Sequence, residues 1–398
     1  MYSSNRINIQ YLNPKKRYVV LDALRGFALL GIILANFPEF SLWTFADSAV
    51  HTPLDRVVRA LQYFFIDGKF YTLFSLLFGI GFSIQLDNAG HRTGTFYRRM
   101  AALFVIGLLH LLFLWSGDIL MLYAAMGMLL PLFRKLPAKW LFATAGLFLV
   151  LPVLSDILFP HLADPLEAEQ WRLCERYGIT EANFAVWLRD IDGYGDMSRF
   201  LRMGAVERMW EFVSSHRYFK VMGLFLLGYG IGRHRIYSDL EAHAKLLRRI
   251  LILGLAIGLP VSLLYTWSSM TDGHTVLKDV FYLFSVYPMG LAYAAGFCLL
   301  FRRRPEASVW RFFAAPGRMA CTNYLGQSVF GILIFYGIGL GLGAGVDLLV
   351  TELIALGVYV IQVIFSRFWL EHFRFGPVEW IWRMFTYGQR LPMRRDRD

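Results

Sequence analysis

Charge is what this sequence has least of. Only 17% of its 398 residues are Asp, Glu, Lys or Arg, while 57% are hydrophobic. A soluble globular chain averages about 25% charged residues, so two or three soluble domains, the usual arrangement at this length, are excluded. Cysteine is scarce as well. Cys174, Cys298 and Cys321 are too few for a disulfide framework, and they form no C-x-x-C pair. The chain has no H-E-x-x-H, Walker or G-x-G-x-x-G motif, no low-complexity stretch and no short repeat. No metal is expected. No small-residue cleavage site follows the first apolar run, which begins near Tyr18 and reads as a retained span rather than a signal peptide.

What the chain does have is apolar blocks. A bilayer core of about 30 Å needs about 20 apolar residues. Candidate spans lie at 18–38, 63–86, 97–116, 119–134, 140–159, 218–236, 249–267, 280–301, 318–343 and 347–366. The short fourth block follows the third through Ser116-Gly117-Asp118, which predicts a helical hairpin turning at the membrane surface. The expected fold class is therefore an all-α polytopic membrane bundle of about ten transmembrane helices.

Net charge is +11. The basic residues cluster in alternate short loops, such as Lys15 to Arg17, Arg98 and Arg99, Arg233 and Arg235, and Arg302 to Arg304. That pattern points to cytoplasmic loops beside an anionic membrane rather than to nucleic acid, with both termini cytoplasmic. A bacterial cytoplasmic (inner) membrane location is expected. The organisation reads as a five-span bundle over 1–159, an external loop over 160–217 and a second five-span unit with a cytoplasmic tail over 218–398. Within the mildly acidic loop, Glu181 to Arg189 and Arg199 to Phe212 have helical apolar spacing, as expected of amphipathic helices capping the membrane face. The ninth block ends GIGLGLGAG (337–345), which reads as small residues for close helix packing.

Each charge inside hydrocarbon costs about 2.5–3.5 kcal/mol on insertion scales, so intramembrane polar residues are the functional candidates. Asp22 and Arg25 are three apart on one helix face and can pair; Arg25 can also hold an anionic group from the cytoplasm. Asn36 lies at the other end of that helix. His110 precedes the tight turn through Trp115, and Asp118 opens the next block; together an imidazole and a carboxylate make a tuned base. Simple packing of His110 and N-capping by Asp118 are the plainer alternatives. Lys69 and Arg217 sit at the outer ends of their spans, where they can anchor to the interface or bind an anion. Asn323, with Gln327, points to interhelical hydrogen bonding. The tail segment around Glu379 reads as an interfacial aromatic stretch.

Five runs carry a family resemblance. LDALRGFALLGIILAN (21–36) resembles the N-terminal signature of the bacterial YeiB family. DGKFYTLFSLLFGIGF (67–82), the run 98–127, GRMACTNYLGQS (317–328) and the tail from Phe375 to Tyr387 match it further. The first run is also similar to the L-D-x-x-R-G opening of the transmembrane acyltransferase superfamily. The O-acyltransferases of that group place a catalytic His eleven residues after the Arg, where this chain has Asn36. The heparan-α-glucosaminide acetyltransferase type has Asn there and its His in the next external loop, where this chain has His51. On physical grounds His110 is the better base.

The resemblance implies an acyltransferase. Acyl-CoA is the expected donor, entering from the cytoplasm near Asp22 and Arg25. His110 and Asp118 are the expected catalytic pair. Asn36, Lys69, Trp115, Arg217 and Asn323 are the expected substrate-binding residues. The alternative is a transporter or exporter of a small metabolite or lipid. Expected partners are the bilayer and a small-molecule or lipid substrate, with a second copy of the chain left open as a homodimer partner.

Overall fold

A computed structural model describes residues 18–46, 52–88, 93–159, 161–271 and 276–395. His51, Arg92, Arg397 and the basic residues before Tyr18 lie outside them. Among the described residues the chain is helical, and its one β-type pairing is an isolated bridge from Phe373 to Arg394. Among the described residues, seven helical stretches are long and apolar enough to cross a membrane, α2 and α3 counting as one. In chain order the helices are α1 (Val19–Phe40), α2 (Pro53–Phe65), α3 (Lys69–Asn88), α4 (Gly94–Phe113), α5 (Leu120–Leu129), α6 (Ala138–Leu158), α7 (Asp164–Tyr177), α8 (Phe184–Arg189), α9 (Tyr194–Ser214), α10 (Arg217–Arg233), α11 (Ala244–Met270), α12 (Val276–Arg303), α13 (Ser308–Arg318), α14 (Ala320–Phe335), α15 (Leu348–His372) and α16 (Pro377–Tyr387). The protein is an all-α polytopic membrane bundle. Its outer flanks carry bare apolar side chains such as Leu132, Ile252, Leu263 and Ile364, which lipid tails satisfy as well as a protein core does.

Lipid supplies little hydrophobic drive between helices, so close backbone approach does more of the joining. Two crossings show this. A Cβ on Gly79 of α3 would lie 2.1 Å from the Phe225 carbonyl oxygen, and one on Gly228 of α10 would lie 2.2 Å from that of Leu76. At the α1–α13 crossing, a Cβ on Gly26 would meet the Phe313 oxygen at 1.8 Å, and one on Gly317 would meet the Asp22 oxygen at 1.9 Å. The glycines of the LDALRG and GRMACTNY runs, Gly26 and Gly317, are therefore two halves of one contact between segments far apart in the chain. The same crossings join the chain before α7 to the chain after α9, with α1 against α13 and α15, and α3 against α10 and α12.

Three sequence expectations need correction. The block at 63–86 is broken at residues 66–68, where Gly68 has φ +71; α2 before the break is amphipathic, and α3 after it, opening on Lys69, carries the longer apolar run. The ninth block stops at Phe335, well short of 343. The glycine-rich chain beyond it turns back, with Leu340 N–H donating to the Leu333 carbonyl and Gly343 N–H to that of Phe335, and with Gly341 at φ +62. Glycine is a poor helix former and tolerates left-handed backbone, so the run caps a helix rather than packing within one. Finally, α13, an amphipathic helix, precedes α14 between the eighth and ninth apolar blocks, where no element is expected from the apolar spacing.

Helices α7, α8 and α9 cover one end of the bundle, the loop face. The opposite end, the basic face, carries Arg99, Arg233, Arg302 to Arg304 and Arg383.

Candidate functional site

Helix α4 ends where its carbonyls run out of partners: the His110 oxygen accepts from both Leu114 N–H and Trp115 N–H, at 2.9 and 2.8 Å. The chain then turns through Ser116 and Gly117 into α5. Gly107 lets the two helices touch, since a Cβ there would lie 2.4 Å from the Met121 nitrogen. Asp118 accepts the Met121 N–H at 2.8 Å on Oδ1, as a first-turn cap does. Its Oδ2 faces His110 Nδ1 at 2.9 Å. The tight turn thus brings His110 and Asp118 together, and both side chains are only 1% exposed.

The third member comes from far away in sequence. Ser328 of α14 lies 2.9 Å from His110 Nε2 through its Oγ. With Asp118 ionised, Nδ1 is the protonated nitrogen and Nε2 accepts from the serine hydroxyl. A hydroxyl, an imidazole and a carboxylate therefore stand in line, the geometry of an activated nucleophile with its base and orienting acid. Trp115 and Tyr324 flank the imidazole, with ring centroids at 6.2 and 5.5 Å.

Against the turn between His110 and Asp118, beneath α8 and α9, is a cavity of about 200 Å³. Trp115, Ser116 and Gly117 form its floor, and Glu39 of α1 with Glu207, Arg208 and Glu211 of α9 form charged walls. Trp115 stacks on Phe40 at 4.1 Å. Arg208 ties α9 down by donating to the Ser116 carbonyl at 2.9 Å and by pairing with Glu211. Arg217 pairs with Glu211 at 2.6 Å. Burial works against ionisation of Glu211, but Arg208 and Arg217 outweigh it and hold the carboxyl below its usual range. Glu207 lacks such support. Burial, opposed by Arg208 and reinforced by Glu39 and Glu211, pushes it up to about 7.

At the basic end of α1, Arg25 donates to Asp22 at 3.1 Å, the pairing expected from their spacing. Arg99 lies over the Trp382 ring at 4.3 Å, within the fields of Arg25 and Arg383. Arg25, Arg99 and Arg383, from α1, α4 and α16, thus act electrostatically on one another at this face. Nearby, α16 sets the start of α14. Glu379 accepts from Cys321 N–H at 2.7 Å and Thr322 N–H at 3.0 Å, and from the Thr322 hydroxyl at 2.5 Å. These are the free donors of a helix N-terminus, and Glu379 fixes the helix that carries Ser328.

The remaining candidates are dispersed. Asn323 donates to Ser366 Oγ at 2.9 Å and to the Pro316 carbonyl at 3.2 Å, an interhelical clamp. Asn36 is half-buried on α1, one turn before Phe40. Lys69 is fully buried, donates to the Tyr63 carbonyl at 2.5 Å and lies over the Tyr265 ring, whose hydroxyl donates to Asp67 at 2.6 Å. It belongs to a second polar cluster, which includes Lys220 with Asp279 at 3.5 Å and His216 with Asp156 at 2.6 Å. Ser328, Glu39, Glu207, Arg208 and Glu379 were not singled out by sequence. Only the small polar residue closing GRMACTNYLGQS, inside an apolar helix, signalled Ser328.

Known proteins match most of the length of the chain. Residues 231–389 match the family described as Protein of unknown function (DUF418). The uncharacterized protein YxaH of Bacillus subtilis (strain 168) is 33% identical over 409 residues, spanning 96% of both chains. The uncharacterized 39.9 kDa protein in the amylase 3' region of Bacillus acidopullulyticus is 31% identical over 95% of this chain and 96% of its own. The uncharacterized protein YeiB of Escherichia coli (strain K12) is 29% identical over 93% of this chain and 96% of its own. With a relative 33% identical and matched nearly end to end, this chain belongs to the YeiB family of DUF418 membrane proteins.

Proposed function

We propose that this protein is a membrane-embedded acyltransferase, moving an acyl group from an anionic donor at the basic face, such as acyl-CoA, to an acceptor in the loop-face cavity. The observation that carries the reading is the buried Ser328–His110–Asp118 line, joined through Trp115, Ser116 and Gly117, the turn between His110 and Asp118, to the lining of that cavity. The L-D-x-x-R-G opening supports it, as do Arg25, Arg99 and Arg383, which act electrostatically on one another at the face where a phosphorylated donor would arrive. Asp118 holds the His110 tautomer and stabilises the imidazolium, and His110 takes the Ser328 proton. The Ser328 Oγ attacks the thioester carbonyl, and the thiol leaves with that proton. The acceptor then attacks the serine ester. Its proton passes through His110 to Ser328 Oγ as the ester bond breaks. Lys69, held in the second cluster, takes no part.

Incubating the purified protein with radiolabelled acetyl-CoA tests this. Ester-linked label is expected on the native chain and is expected to be absent from Ser328→Ala and His110→Ala. Transfer that survives Ser328→Ala but not His110→Ala would assign direct transfer, with His110 acting on the acceptor. Neither binding nor label on the native chain would end the acyltransferase reading. The second cluster, with its buried Lys69 and Lys220, favours one other function, export of a small metabolite. Substrate flux in proteoliposomes that is lost in Asp279→Asn would support it.

A further inference from the structure

Away from the relay, the basic face carries a groove of about 840 Å³ between α11, α12 and α13. Its walls are apolar, formed chiefly by Leu251, Phe297, Leu300 and Trp310, and it ends against Arg303 and Arg304. The volume lies within the range of small-molecule sites. The floor is open because residue 296 is glycine: a Cβ there would meet nothing nearer than Leu251 Cδ1, at 3.4 Å. The arginine rim is fixed in place, since the Trp310 indole N–H donates to the Arg304 carbonyl at 2.6 Å and Trp310 packs on Phe297 and Phe301.

The charge at the rim decides what covers the groove. Arg302, next in sequence, is neutralised by both carboxylate oxygens of Glu241 at 2.6 Å. Arg303 and Arg304 are exposed and make no ion pair with an acid among the described residues, Glu306 included. Two guanidiniums with no acid partner at the end of an apolar slot, just past the C-terminal end of the apolar helix α12, are complementary to a lipid with one negative phosphate and a chain running along the slot. We infer that this groove holds one anionic glycerophospholipid of the leaflet on the basic face, its headgroup on Arg303 and Arg304 and an acyl chain over Gly296. A neutral-headgroup lipid gains the apolar contact but not the charge. A second copy of this chain would have to bring acidic groups to the same rim.

Native mass spectrometry of the full chain released from detergent reads this out. Titration with palmitoyl-oleoyl phosphatidylglycerol and with the matching phosphatidylcholine should show one retained lipid and a preference for the anionic one on the order of tenfold. The Arg303→Gln/Arg304→Gln variant should bring the two lipids within about twofold. Gly296→Leu fills the slot without backbone contact, so it should weaken both lipids equally while leaving the melting temperature within a few degrees. Equal retention of the two lipids by the native chain would overturn the inference, as would an unchanged preference in the double variant. If the double variant does not fold, retention by Gly296→Leu decides: undiminished binding places the lipid elsewhere. A dimer peak that lipid does not displace would give the groove to a second copy instead.

Discussion

The contact between His110 and Asp118 can be weighed by itself. Its atoms are 2.9 Å apart and both side chains are 1% exposed. A hydrogen bond to a charged group is worth about 1.5–3 kcal/mol, and water cannot compete for this one. Asp118→Ala should cost more than that. It also removes the cap on Met121 N–H, worth about 1 kcal/mol, and leaves the imidazole donor unpaired. The single variant should therefore lose roughly 3–4 kcal/mol in total. His110→Ala strands a buried carboxylate and should lose a similar amount, within the roughly 3–5 kcal/mol typical of a broken buried pair. The double variant should lose markedly less than the sum, because the pair is broken only once. The expected coupling is about 2 kcal/mol. Equilibrium unfolding in mixed micelles with increasing dodecyl sulfate, followed by tryptophan fluorescence, measures all four corners of the cycle. Losses that add to within about 0.5 kcal/mol would mean the two side chains do not interact, and the relay would lose its orienting acid.

Three further expectations follow from geometry outside the relay. Gly26→Ala puts a Cβ 1.8 Å from the Phe313 oxygen and should lose about 2–3 kcal/mol or fail to accumulate, whereas Gly357→Ala, with open space around it, should be neutral; equal melting temperatures for the two would refute the close crossing. Glu207 has its folded pKa raised from 4.5 to about 7, so it favours the fold below about 4.5 and that contribution is lost as pH rises towards 7; the melting temperature of the native chain relative to Glu207→Gln should fall across that window, and a flat difference would show the carboxyl to be solvated. Glu379→Ala should expose the first turn of α14, seen as faster amide exchange at Cys321 and Thr322 and a loss of about 1–3 kcal/mol, while unchanged exchange would mean the cap is dispensable.

Composition and the spacing of apolar blocks by themselves determined the membrane class and most helix positions. The reason is that hydrocarbon enforces one rule on every residue it touches: satisfy the backbone internally and keep charge out. The same rule made Asp22, Arg25, His110 and Asp118 conspicuous. Local spacing then sufficed for the two pairs, because three residues along a helix, or a tight turn of the chain, leaves little freedom for where a partner can be. Breaks were less legible. The bend at Gly68 and the fold-back after Phe335 depend on left-handed backbone at particular glycines, and glycine serves equally well in a packed helix.

Only the tertiary structure decided the rest. Ser328 reaches His110 across 218 residues of chain, Glu379 caps a helix that begins 59 residues earlier, and the loop-face helix α9 lowers Glu207, Arg208 and Glu211 onto the turn before Asp118. None of these residues breaks a local pattern: a serine sits comfortably in an apolar helix, and acids are ordinary in an exposed amphipathic one. Their roles come from which helices lie side by side. That is set by glycine-to-backbone contacts such as Gly26 on Phe313 and Gly79 on Phe225, which are satisfied between distant segments and leave no periodic trace in either one.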